Sequence, residues 1–159
     1  MTDPSHKPFS SCCLKHFSWD GIPSGQESTL ISNPTYITGS NRDAAVLYVH
    51  DALGWNFVNA RLLADHFAKE ANVTVYMPDF FAGEELDKTA IKEGRWGDLK
   101  DFEGFMKRNS RVNREPEIFA CAKYLRTRYK KLGTVGYCFG GWAVMVSRCE
   151  SADRRRRLT

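Results

Sequence analysis

No apolar run in this sequence approaches the ~20 residues that a membrane-spanning helix needs. The start, Met-Thr-Asp-Pro-Ser-His-Lys-Pro, lacks the basic-then-apolar layout of a secretory signal. A soluble cytoplasmic protein, with no membrane partner, is therefore expected. There is no C-x-x-C, which excludes zinc-ribbon and thioredoxin-like readings. The cysteines, Cys12, Cys13, Cys121, Cys138 and Cys149, are odd in number and read as reduced thiols rather than a disulfide framework. Cys12 and Cys13 are adjacent, a poor spacing for two ligands of one tetrahedral metal, so no metal site is expected. Neither a G-x-x-x-x-G-K-S/T loop nor a G-x-G-x-x-G turn occurs, so no nucleotide cofactor is expected either. A basic face is also missing. Lys and Arg number 23 against 19 Asp and Glu, but Arg154 to Arg157 stand together at the end and the rest is close to neutral. That distribution argues against a nucleic-acid partner and leaves the arginine run as a solvated tail.

What is present is a chain of 159 residues, 42% apolar and 13% aromatic, enough for one packed domain. Residues 44–49, Ala-Ala-Val-Leu-Tyr-Val, are apolar on both faces and read as a buried parallel strand. A helix-period stripe follows, Ala60, Leu63, Ala64, Phe67, Ala68 and Ala71, with Arg61, Asp65, Lys69 and Glu70 on the other faces. Residues 73–77 form a second buried strand, stopped by Pro78 and Asp79, which completes a βαβ unit. Residues 83–115 are more polar and read as short helices over the top of the sheet, either a solvated connection or a lid. Pro116 suits a first helical position, and Ile118, Cys121, Ala122, Leu125 and Tyr129 then trace an amphipathic helix that Gly133 closes. Cys121 falls on its apolar face and reads as a small core residue. Residues 134–137 are a third strand candidate. Two flanking strands, 28–32 and 35–38, are expected around an Asn33-Pro34 turn. Strands alternating with helices make this an α/β protein with a mainly parallel sheet and helices on both faces.

The third strand runs directly into Gly136-Tyr137-Cys138-Phe139-Gly140-Gly141 and then an apolar helix, 142–146. This is the nucleophile-elbow pattern with cysteine in place of serine. A nucleophile on a sharp strand-to-helix turn sits in a strained backbone conformation, and small neighbours make room for it. The helix N-terminus beneath favours the thiolate and offers N–H groups to an oxyanion.

The sequence here resembles the dienelactone hydrolases of the α/β-hydrolase superfamily, especially their fungal-type members. The resemblance rests on Gly21 to Gly25, Pro34-Thr35-Tyr36, His50 to Trp55, Asn59 to Asp65, Pro78 to Phe81 and Gly136 to Gly141, in that order. It divides the chain into an N-terminal segment (1–20), a partial α/β-hydrolase-like domain (21–150) and a basic tail (151–159). It implies hydrolysis of a lactone or small ester, with Cys138 attacking the carbonyl to form an acyl-enzyme. The oxyanion donors would be the backbone N–H groups of Phe139 and Ala52. Asp51 falls where the family carries an acid close to the nucleophile; its plain alternative is a loop carboxylate capping the helix that follows. His50 is a minor candidate for a base, and by strand alternation points to the other side of the sheet from Asp51. His66 reads as structural.

The superfamily's catalytic Asp and His follow the nucleophile along the chain. Only Glu150, Asp153 and no histidine follow Cys138 here. The expectation is a C-terminally truncated member, missing its last strands, inactive alone and prone to self-association through an open sheet edge. Two other readings stand beside it: a non-catalytic binding or regulatory remnant of the same fold, and a class I amidotransferase-like glutaminase.

Overall fold

A computed structural model of the protein describes residues 17–144. Five strands form one sheet: β1 (Gln26–Leu30), β2 (Asn33–Thr38), β3 (Ala44–Val49), β4 (Thr74–Pro78) and β5 (Lys131–Gly136), in the order β1-β2-β4-β3-β5. β3 pairs parallel with β4 and with β5, while β2 runs antiparallel to both β1 and β4. Four strands therefore point one way and β2 alone opposes them. The 44–49 strand is central, as its two apolar faces require: Ala45, Leu47, Tyr48 and Val49 are all buried.

Alternation along the strands divides the core in two. Tyr48, Val75 and Met77 face one side, where α1 (Val58–Glu70) lies on the sheet through the buried small residues Ala60, Ala64 and Ala68. Leu47 and Val49 face the other, against Ile118, Cys121, Ala122 and Leu125 of α4 (Arg111–Arg128). Between β4 and α4 come α2 (Lys88–Lys92), a 3₁₀ turn at Trp96–Asp98 and α3 (Phe102–Arg108). Leu86, Ala90, Ile91, Leu99 and Phe105 of this stretch are buried in the same cluster as Ala52 and Phe57, so it is a packed cover rather than a solvated connection. Arg61 is not on an open face either: its guanidinium lies over the rings of Tyr36 (4.9 Å) and Trp55 (4.8 Å) and pairs with Glu27.

Three local expectations shift. The β1–β2 turn is at Ile31-Ser32, because Leu30 pairs with Asn33, and Ile31 takes a left-handed φ of 60°. Pro34 is inside β2, where its missing N–H removes no β1 bond: Thr29–Pro34 is the non-bonded pair next to the turn. α4 starts at Arg111, five residues before Pro116, which sits inside the helix. The carbonyl of Val112, four residues earlier, loses its helical donor at a place open to solvent, since Val112 is 80% exposed. Gly133 does not end α4, which stops at Arg128; it lies within β5, opposite Val46. The arginine tail, Cys12, Cys13 and Cys149 lie outside the described residues, as does the expected elbow helix beyond residue 144. No described helix is long and apolar enough to cross a membrane.

Candidate active site

Parallel pairing of β3 with β5 ends at Val49–Gly136, so the carboxyl ends of both strands open side by side. Two residues on stand Asp51 and Cys138. Cys138 is a non-glycine residue at φ 49° and is exposed, whereas Cys121 is fully buried. Burial pushes the Cys121 thiol up to about 12.

The turn that holds Cys138 leaves no room for side chains at two of its glycines. A Cβ on Gly136 would meet the Gly140 carbonyl oxygen at 2.4 Å, and one on Gly140 would meet that of Val49 at 2.2 Å. The elbow is thus pressed against the end of β3 by backbone contact. Gly141 differs from the sequence expectation, since a Cβ there would have nothing within 4 Å. A short 3₁₀ turn, Cys138–Gly140, follows the strand, with the Gly140 N–H donating to the Tyr137 carbonyl, and residues 141–144 are helical. The N–H of Phe139, in the first turn, has no carbonyl ahead of it within the helix.

Facing the elbow, residues 51–54 form a tight turn. The Asp51 carbonyl accepts from the Gly54 N–H (3.2 Å), and Asp51 Oδ1 accepts from the Leu53 N–H (2.8 Å). Asp51 therefore caps its own loop and not the following helix, whose N-cap is Phe57 with no side-chain cap, while standing at the end of β3, beside the strand that leads to Cys138. Its charge is felt by Tyr48, whose hydroxyl is raised first by burial, then by Asp51 and Tyr137.

His50 is 0% exposed, and both ring nitrogens are occupied. Nε2 accepts from the Phe80 N–H (3.0 Å), which leaves Nδ1 to carry the proton and donate to the Asp51 carbonyl (2.9 Å). Its pKa is lowered to about 4, chiefly by burial and to a smaller extent by Arg114, against the opposing pull of the Asp51 carbonyl and Asp79. A ring so placed cannot serve as a general base at Cys138. The Phe80 N–H comes from the Pro78-Asp79-Phe80-Phe81 stretch at the end of the neighbouring strand β4. Buried Asp79 organises that second loop, accepting from the N–H groups of Phe81 (2.8 Å) and Gly83 (2.6 Å).

An aromatic cluster ties the pieces together: Phe139 meets Phe81 at 4.8 Å, Phe81 meets Phe105 of α3 at 5.0 Å, and the His50 ring meets Phe81 at 4.5 Å. Three arginines of the 95–111 stretch are held in ion pairs. Arg95 pairs with Glu93 and Asp98, Arg108 with Glu84 and Asp101, and Arg111 with Glu115. His66 is exposed and paired with Glu70. A cavity of about 380 Å³, lined by Leu30, Arg42, Tyr76 and Tyr129 among others, touches none of these site residues. Among the described residues, no group of three or more His, Cys, Asp or Glu could hold a metal.

A central parallel strand flanked by its βαβ partner, and a left-handed residue between glycines at the next strand's end, define an α/β-hydrolase-type fold. The chain belongs to the dienelactone hydrolase family, whose model matches residues 33–154. It is 39% identical over 126 residues to the carboxymethylenebutenolidase homolog of Mus musculus, covering 76% of this chain and 48% of that protein. It is 32% identical over 142 residues to the hydrolase tropI of Talaromyces stipitatus, covering 84% of this chain and 55% of that protein. The hydrolase pyvD of Aspergillus violaceofuscus is 27% identical over 139 residues, with coverage of 84% and 54%. The chain spans about half the length of the curated relatives it matches.

Proposed function

We propose that this chain carries the nucleophile of a hydrolase acting on a lactone or small ester, with Cys138 as that nucleophile. One observation carries the reading: an exposed cysteine at φ 49°, on a turn whose Gly136 and Gly140 have no space for a Cβ. Strain of this kind persists only where the surrounding structure enforces it, and it clusters at functional sites. The relatives named as carboxymethylenebutenolidase homologs favour a lactone or a related small ester as substrate.

In the proposed reaction the Cys138 sulfur bonds to the carbonyl carbon while the oxygen takes up charge between the N–H groups of Phe139 and Ala52. The intermediate then collapses, breaking the carbon–oxygen bond: the alkoxide departs and takes up a proton from water, matching the one the thiol released, and a thioester remains. Deacylation needs a base to activate water. No histidine follows Cys138 in these 159 residues, and His50 is occupied. The chain alone is therefore expected to acylate and then stall.

The test uses p-nitrophenyl acetate, whose leaving group departs without a proton. One equivalent of p-nitrophenolate should appear in a burst, with acetyl on the Cys138 peptide and no turnover beyond that of Cys138→Ala. Sustained turnover that disappears in Cys138→Ala would show that this chain deacylates. Absence of acylation at Cys138, with the fold intact, would leave the binding-module reading in its place.

A further inference from the structure

We propose that His50 is a positioning residue for the oxyanion hole: by holding the Asp51 carbonyl, it aims the Ala52 N–H, across the same peptide plane, at the oxygen of a bound ester. The inference rests on the reading of Cys138 as the nucleophile and deepens it.

In a trans peptide the C=O of one residue and the N–H of the next point in opposite directions and rotate together. Whatever fixes the Asp51 carbonyl therefore fixes the Ala52 N–H. That carbonyl is held twice, by His50 Nδ1–H at 2.9 Å and by the Gly54 N–H at 3.2 Å. The neighbouring donors are spent inside the turn, Leu53 on Asp51 Oδ1 and Gly54 on the Asp51 carbonyl. Of the three successive N–H groups, that of Ala52 alone has no partner among the described residues, although Ala52 is only 8% exposed. A buried unspent donor is costly, and its survival beside a candidate nucleophile marks a group kept for a ligand. The ligand it suits is the oxyanion of an acyl-transfer intermediate.

His50 is itself immobilised. Its Nε2 takes the Phe80 N–H, its ring packs edge-on to Phe81 at 4.5 Å, and the Phe139 ring lies parallel to it at 6.5 Å. One imidazole thus references the turn after β3 to the loop after β4 and to the elbow. The Phe80 bond also sets the tautomer: because Nε2 must accept, Nδ1 must donate. This is the same logic by which an outer partner orients a working group elsewhere.

The experiment compares two reactions of the same thiolate in the full 159-residue chain. Acylation by p-nitrophenyl acetate passes through an oxyanion; alkylation by iodoacetamide does not. Their ratio cancels the thiolate population and reports the oxyanion hole. His50→Gln places an acceptor near Nε2 but no donor at Nδ1, and His50→Asn the reverse. His50→Gln is expected to lower acylation about tenfold or more, toward the loss seen when an oxyanion donor is removed, with alkylation within about twofold. His50→Asn should recover most of that loss. Acylation and alkylation falling together, or a ratio unchanged in both variants, would overturn the proposal while leaving Cys138 as nucleophile. No Cys138-dependent acylation in the unsubstituted chain would instead remove the nucleophile reading, and this inference with it. A measurement without variants stands alongside: long-range ¹H–¹⁵N spectra at neutral pH should show His50 as the neutral Nδ1–H tautomer. The Nε2–H tautomer would overturn the proposal whatever the variants do.

Discussion

His50 and His66 stand in opposite environments, one fully buried and one mostly in solvent beside Glu70. The burial of His50 has a consequence for folding. Its pKa is about 4 in the folded protein against an ordinary 6.5, so the unfolded chain binds the extra proton first as pH falls. The stabilisation from a neutral His50 is complete above pH ~6.5, declines as the pH falls through that value, and is gone below about 4. Its full size is roughly 3 kcal/mol, since each tenfold change in proton affinity is worth about 1.4 kcal/mol. Urea unfolding between pH 7 and 5 should therefore show stability falling with acid. His50→Asn, less stable at pH 7, should have lost the part of that slope belonging to this residue. Equal slopes in the two proteins would mean that His50 does not carry the dependence. The cysteines make the same contrast at residue level: Cys121, buried with its thiol held at about 12, should react with iodoacetamide only on unfolding, whereas Cys138 is open to it.

At the scale of elements, the elbow separates two glycines that look alike in the sequence. Gly140 lies against the Val49 carbonyl, and a Cβ at 2.2 Å forces β3 or the elbow to move. Gly141 has ordinary helical angles, φ −61° and ψ −39°, and open space around its Cβ position. Gly140→Ala should lose about 1–3 kcal/mol, the usual range for overpacking. Gly141→Ala should be neutral or gain up to about 1 kcal/mol, since alanine is the better helix former. Paired thermal melts decide it: equal losses would mean that the close approach is not what Gly140 is for. The G-x-C-x-G-G pattern made the elbow legible because close backbone approach leaves a compositional mark. The central strand was legible for a similar reason, since burial on both faces leaves a continuous apolar run. The β1–β2 turn was not, because Ile31 occupies a left-handed position that glycine or asparagine would have signalled. Pro116 misled for the complementary reason: it marks helix starts, yet an exposed first turn tolerates it within α4. The role of His50 was hidden because its partners are backbone groups, the Phe80 N–H and the Asp51 carbonyl, brought together only by the sheet.

In the whole molecule the sheet is finished differently at its two edges. β1 is a five-residue strand carrying Gln26 and Glu27, short and polar enough to discourage pairing. At the other edge, β5 pairs with β3 alone among the described residues. Its side chains are mostly half-buried, Leu132 and Val135 against the two cores, and Tyr137 just beyond it is 43% exposed. A parallel edge strand of this kind, with Lys131 as its only charged residue, is a template for another strand. We propose that isolated chains of these 159 residues associate through β5. Sedimentation should then show a weight-average mass that rises with concentration, and hydrogen exchange should show β5 amides turned away from β3 gaining protection over the same range. The two measurements check each other, because association through an apolar patch elsewhere would raise the mass and leave those amides unprotected. A monodisperse monomer at high concentration, melting cooperatively, would mean that the twist and side chains of β5 shield its edge without a partner.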